Sequence, residues 1–272
     1  MTRRRRRPSL TAAVLCLVIG VLASLVAVDW LAERGVVGPS WAFPELRPAS
    51  SRSYPRPGYE ESDERIAPAV DVTAPDPSYA FQEMQDVDGA QVPVTWSPCR
   101  PVHVVVDTTA APVDFEADVA AAVAEVAAAT GLTFTVDGEV DEPTGLERPM
   151  FQPELYGDRW APVLVGFGNP TDVPELAGTV AGIAQVNSAS SRSGRQHFVS
   201  GTVYLDPELL HADHDPAAYL AVLRHELAHV VGLDHVDDPT QMMNPTTGVA
   251  TFQAGDLTGL AELGRGPCAP GV

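Results

Sequence analysis

The sequence predicts an α/β domain of the α+β kind, with a mixed, mostly parallel five-stranded sheet and two helices late in the chain. Three observations carry that expectation. β-branched runs of five to eight residues alternate with patterns of helical period between residues 100 and 263. A nineteen-residue run without charge, Leu10 to Val28, precedes the domain. Between the two lies a stretch rich in Pro, Ser, Arg and Glu with no apolar period of 2 or 3.6.

In chain order, residues 1–9 form a basic tail with arginine at positions 3 to 7. The apolar run within 10–31 just spans a bilayer as a helix. Arginines before it and acidic chain after it orient it with the bulk of the chain outside the cell. A cleaved signal peptide shares these blocks, so the expectation is a single-pass membrane anchor or, alternatively, secretion. Residues 32–78 read as an extended, mostly disordered tether, and 79–272 as one domain.

Within that domain, Val102–Asp107 reads as a strand. Asp114 reads as an N-cap for a helix carrying Phe115, Val119, Val123 and Val126 up to Gly131. Further strands are expected at Leu132–Val136, Pro162–Phe167, Val180–Val186 and Phe198–Leu205. Asp215-Pro216 opens a helix to about Val231, with Pro at its first position. A last helix covers about Ala254 to Leu263. The segment Gly138–Trp160 has no assignable pattern.

Charge and cysteine content narrow the partners. The chain holds no lysine, and five of its 17 basic residues lie before position 10, so 36 acidic residues face 12 arginines beyond it, a balance of −24. That opposes nucleic-acid binding by the outer domain. Of three cysteines, Cys16 lies in the apolar run, which leaves Cys99 and Cys268 as a disulfide bracketing the domain in an oxidising compartment.

The chemistry is concentrated in His225-Glu226-Leu227-Ala228-His229, inside the helix from Pro216. Residues four apart share one helix face, so both imidazoles can be aimed at one ion. Gly232 can adopt the left-handed conformation that ends a helix, returning His235 as third ligand. Three neutral imidazoles suit zinc and leave a fourth position open. Glu226, beside the first ligand, is placed to act as general base. The eleven-residue pattern arises by chance at on the order of one in ten million start positions at this composition. His211, Asp213, His214 and Asp215 form a second, weaker candidate cluster, for which polar capping of the following helix is the plainer reading.

His225 to His235 resembles the H-E-x-x-H-x-x-G-x-x-H signature of the metzincin zinc metalloproteases. Met243 falls eight residues after His235 and two before Pro245, which is similar to the Met-turn spacing of the matrixins (matrix metalloproteinase catalytic domains). The resemblance covers about 79–268, although its motifs occupy only some twenty residues. It implies a metzincin-like fold and hydrolysis of peptide bonds of extracellular proteins by a zinc-activated water with a glutamate base. It also implies an edge strand through Ala181, Gly182, Ile183 and Ala184 that receives extended substrate. Asn244, Pro245 and Thr246 would wall the pocket beyond the scissile bond, with Leu220–Leu223 near its floor. One catalytic Zn2+ is expected; the family's Ca2+ sites are not recognisable. The chain departs from the family at Val236, where serine is usual. It has no cysteine switch, since Pro55-Arg56-Pro57-Gly58 lacks a thiol. The partner is a protein or peptide substrate, and a monomer is assumed. Two other classes stay open: a zinc hydrolase acting on a non-peptide bond, and a tethered binding module with a vestigial zinc site.

Overall fold

In the computed structural model, which describes residues 52–212, 216–246 and 248–272, the β-branched runs assemble into one sheet with a core on each side. The basic tail, the apolar run, the tether up to residue 51 and Asp213–Asp215 lie outside the described residues, as does the side chain of His211. Among the described residues no helix is long and apolar enough to cross a membrane.

Three short strands come first: β1 (Ala80–Phe81), β2 (Met84–Val87) and β3 (Ala90–Pro93). They were not readable from the sequence, because strands this short carry no measurable alternation. There follow β4 (Val102–Val106), helix α1 (Phe115–Thr130), β5 (Phe134–Glu139), a short helix α2 (Pro153–Tyr156) and β6 (Val163–Phe167). β7 (Gly182–Ser190), β8 (Gln196–Leu205), α3 (Pro207–Ala212), α4 (Pro216–Val231), β9 (Leu233–Asp234) and α5 (Ala254–Leu263) complete the chain.

The main sheet runs β5-β4-β6-β8-β7. Four strands are parallel, and β7 pairs antiparallel with β8 at the edge. This is the mixed, mostly parallel sheet that the sequence predicts. Successive side chains of a strand point to opposite faces. Val102, Val104, Val106, Val163, Val165, Phe167, Val203 and Leu205 therefore pack with α1, α4 and α5 in the larger core. Val105, Leu164 and Tyr204 point the other way, into a smaller core with Val173 and Leu176.

Four local expectations need correction. Asp114 does not cap α1: it sits at φ 70° with no side-chain capping bond, and the helix is entered by a turn from Pro112. β5 starts at Phe134 rather than Leu132, because Thr130 Oγ1 accepts from Leu132 N and Gly131 turns the chain before pairing begins. β7 runs on to Ser190, since an edge strand needs only the backbone of β8 as partner, and its polar residues can face solvent. The tether expected to be disordered is, over 53–78, a strap without helix or strand fastened along the domain. Gly58 N donates to Val272 O, Ser62 N to Cys99 O, Ile66 N to Pro98 O and Asp76 N to Thr258 Oγ1. Arg65 reaches the carbonyls of Gly264 and Gly131. Held largely by polar bonds and ion pairs to distant residues, the strap leaves no hydrophobic period to read. Cys99 and Cys268 form the expected disulfide, with a Cα–Cα distance of 5.2 Å.

The segment 138–160 covers the smaller core. It is fastened by a buried ion pair, Arg148 to Glu142 at 2.7 Å. Arg148 also donates to Pro162 O, and Gln152 and Tyr156 complete the bonds to the Glu142 carboxylate. Burial alone would raise the Glu142 pKa, but the hydrogen bonds from Arg148, Tyr156 and Gln152 outweigh it and hold it below the usual carboxylate range.

Candidate metal centre

α4 carries His225 and His229 on the face turned from solvent toward β9 and the segment after it. Gly232 ends the helix at φ 115°, where an L side chain is strained and a Cβ would also press on Phe198 and Leu263. The reversal brings His235 back. The three Nε2 atoms then stand 3.1, 3.1 and 3.2 Å apart. Tetrahedral zinc with the usual Zn–N bonds needs about 3.3 Å between ligand nitrogens.

The far side of two of the rings settles which nitrogen holds the proton. His225 Nδ1 donates to Met242 O at 2.9 Å, and His229 Nδ1 to Leu233 O at 2.7 Å. Both Nε2 atoms therefore carry lone pairs aimed at the cluster. Converging lone pairs repel one another unless a cation lies between them, so this donor set fits a metal ion and zinc in particular. Burial, then the neighbouring His225, holds His229 down at about 3. Burial also lowers His225, against the pull of the Met242 carbonyl. Both are thus kept in the neutral form that binds metal. Among the described residues one other group could offer three ligand atoms, Glu61 with Cys99 and Cys268, but its two sulfurs are bonded to each other.

Glu226 is buried beside His225, and burial pushes its pKa up to about 8. A divalent ion nearby would draw it back toward the carboxylate. β7 passes directly over it. A Cβ at Gly182 would lie 2.8 Å from Val222 Cγ1 and 2.9 Å from Glu226 Cγ, so only glycine lets the strand approach so closely.

The remaining expected residues lie at β7 and in the segment after His235. Ala181 precedes β7, and its carbonyl accepts from Asp206 N. Gly182, Ile183 and Ala184 lie in β7, opposite Leu205, Tyr204 and Val203. Ile183 packs against the smaller core on the far face, whereas Ala184 packs toward α4. Asn244 spends its side chain internally, donating to Val236 O and accepting from Thr246 N and Oγ1. Pro245 and Thr246 are exposed. Both Met242 and Met243 are buried, with Met243 in the larger core and Met242 offering its carbonyl to His225.

Two contributors were not foreseen. The buried carboxylate of Asp256 accepts from Met242 N at 2.8 Å, Met243 N at 3.2 Å and Gln253 N at 2.8 Å, and so fixes the turn that holds His225. Its signal was present as a capping box, Gln253 with Asp256 three residues on. Gln82 lies 3.1 Å from His229 Nδ1, which no local pattern announces.

No curated protein matches the sequence at a significant level. The family model described as Matrixin matches residues 168–263, a stretch that includes β7, α4, His235, Met243 and α5. At the level of the family that match supports a zinc metallopeptidase. Residues 168–263 thus match the Matrixin family model, and the His225, His229, His235 triad within them agrees with the metzincin zinc-binding motif.

Proposed function

We propose that this domain is a zinc-dependent endopeptidase that hydrolyses extended segments of extracellular proteins, with Glu226 as general base. The observation that carries the reading is the convergence of three imidazole nitrogens at 3.1–3.2 Å, with a buried carboxylate on the adjacent residue of the same helix. Bound at these histidines, zinc supplies Lewis-acid activation of the scissile carbonyl and of water. Glu226 takes the proton from the attacking water and delivers it to the leaving amine, and no covalent intermediate is required.

β7 has β8 on one side only, which leaves its other edge free within the sheet. An extended peptide adds there through backbone hydrogen bonds. At Gly182 the strand stands against Glu226, so a bound backbone would be delivered to the base. Ile183 offers backbone alone, since its side chain is committed to the smaller core. Pro245 and Thr246 stand exposed beyond His235, where the pocket wall is expected.

The Cys99–Cys268 disulfide supports an exported location, either anchored through residues 10–31 or secreted. The intact base and ligand set speak against a vestigial site. The test is hydrolysis of casein by the full-length chain with zinc, beside Glu226→Ala. Cleavage by the wild type alone is expected. Absence of cleavage by a folded, zinc-loaded wild type would leave the hydrolase of a non-peptide bond or the binding module.

A further inference from the structure

Phe81 pairs with Leu233 and Ala80 with Asp234, so β1 and β9 form a two-stranded ribbon between the second and third histidines. Just after β1, Gln82 N donates to Gly232 O at 3.0 Å, which fixes the residue to the turn that ends α4. Its side-chain amide, part-buried, stands 3.1 Å from Nδ1 of His229. That nitrogen has one proton, and Leu233 O at 2.7 Å receives it. An amide N–H aimed at the same atom would find no acceptor. Rotating the amide by half a turn leaves its shape unchanged and presents Oε1 instead, so that Nδ1–H is shared between two acceptors.

Both acceptors stand at the same ribbon: Leu233 lies in β9, and Gln82 directly follows β1. The ribbon in turn rests on the segment before it. Asp76 N donates to Thr258 Oγ1, and the Tyr79 side chain lies against Gly259 of α5. The orientation of His229 is therefore set partly by a residue more than 140 positions away in the chain.

We propose that Gln82 is a positioning residue for the metal centre: its amide oxygen locks the His229 ring and tautomer, and thereby ties metal affinity to the docking of residues 76–82. The inference rests on the zinc-site reading above. Hydrogen-bond partners on the outer nitrogen of a ligating histidine raise its basicity and hold its plane, and losing one costs 10–100-fold in metal affinity. A glutamate at position 82 keeps the acceptor and adds charge, so it strengthens the same effect. An aliphatic side chain of similar size removes it.

The experiment measures zinc affinity of the full-length protein by competition with a chromophoric chelator, for wild type, Gln82→Leu and Gln82→Glu. Near-UV circular dichroism of the metal-free forms establishes that each is folded. Gln82→Leu is expected to bind zinc about 10-fold or more weakly, and Gln82→Glu at least as tightly as wild type. A wild type that binds no zinc defeats the zinc-site reading and this inference together. A folded Gln82→Leu protein that matches wild type defeats this inference alone, as does a Gln82→Glu protein as weak as the leucine variant. If the leucine variant does not fold, Gln82→Glu decides: tighter or equal binding supports the role, and weaker binding overturns it. A purely structural contribution would not be restored by the charged isostere.

Discussion

The two faces of the sheet use buried polar groups in opposite ways. On the face covered by residues 138–160, the charges of Glu142 and Arg148 are spent on each other, on the Gln152 and Tyr156 side chains and on nearby backbone. On the face covered by α4, the outer nitrogens of His225 and His229 are satisfied by carbonyls while the inner ones are left converging. A closed network fastens a loop. An open one, held from behind, can hold a ligand. That difference is visible without reference to any motif.

The sharpest way to break that contrast is to remove one group from each face. Glu226→Ala is expected to lower kcat by about 10²–10⁴-fold while zinc stoichiometry and the unfolding midpoint are kept. Metal analysis and denaturant unfolding check both halves of that statement. Arg148→Ala should do the reverse, leaving the buried Glu142 charge unpaired at a cost of about 3–5 kcal/mol. Zinc affinity of the folded protein should then stay within about twofold of wild type; a large loss of affinity would show that the two faces are coupled.

A subtler variant probes how tightly the open face is built. Gly182→Ala places a methyl group 2.9 Å from Glu226 Cγ and displaces either the base or the strand. Catalytic efficiency should drop by about 10–100-fold, as expected for a misplaced reacting group, with stability little changed. If kinetics are unaffected, β7 does not present substrate at this point.

The smallest effect concerns a buried group that serves neither face. Burial, then the charges of Arg195 and Arg100, holds His197 down at about 4, against 6.5 for a free histidine. The unfolded chain takes up a proton between those values and the folded chain does not. Its contribution to stability is therefore full above pH 6.5 and is lost as the pH falls toward 4. His197→Asn should flatten the decline of stability across that window, measured by chemical denaturation at several pH values.

Legibility followed range along the chain. His225, Glu226, His229, Gly232 and His235 occupy eleven consecutive positions, so helix periodicity and one glycine turn suffice to bring them together. The longer strands and helices were legible because each carries a local signal, a short apolar run bounded by turn residues in β6 and β8 and a helix-length segment in α4 and α5. The strap over 53–78 was not legible because polar bonds and ion pairs to distant residues leave no periodic trace. The Glu142–Arg148 pair was missed because nothing local distinguishes a buried pair from a solvated one in a segment rich in Pro and Glu.

By itself, then, the sequence determined the three-histidine cluster, the carboxylate beside it, the order of the main strands and helices, and the disulfide partners, because each depends on local spacing or on simple elimination. Only the tertiary structure decided what stands behind the histidines and the carboxylate. Asp256 under the turn, Gln82 behind His229 and Gly182 against Glu226 are brought in from separate elements. Their roles exist only once the sheet, the strap and the helices have closed, because hydrogen bonds and close approaches depend on distance in space, which residue spacing does not encode.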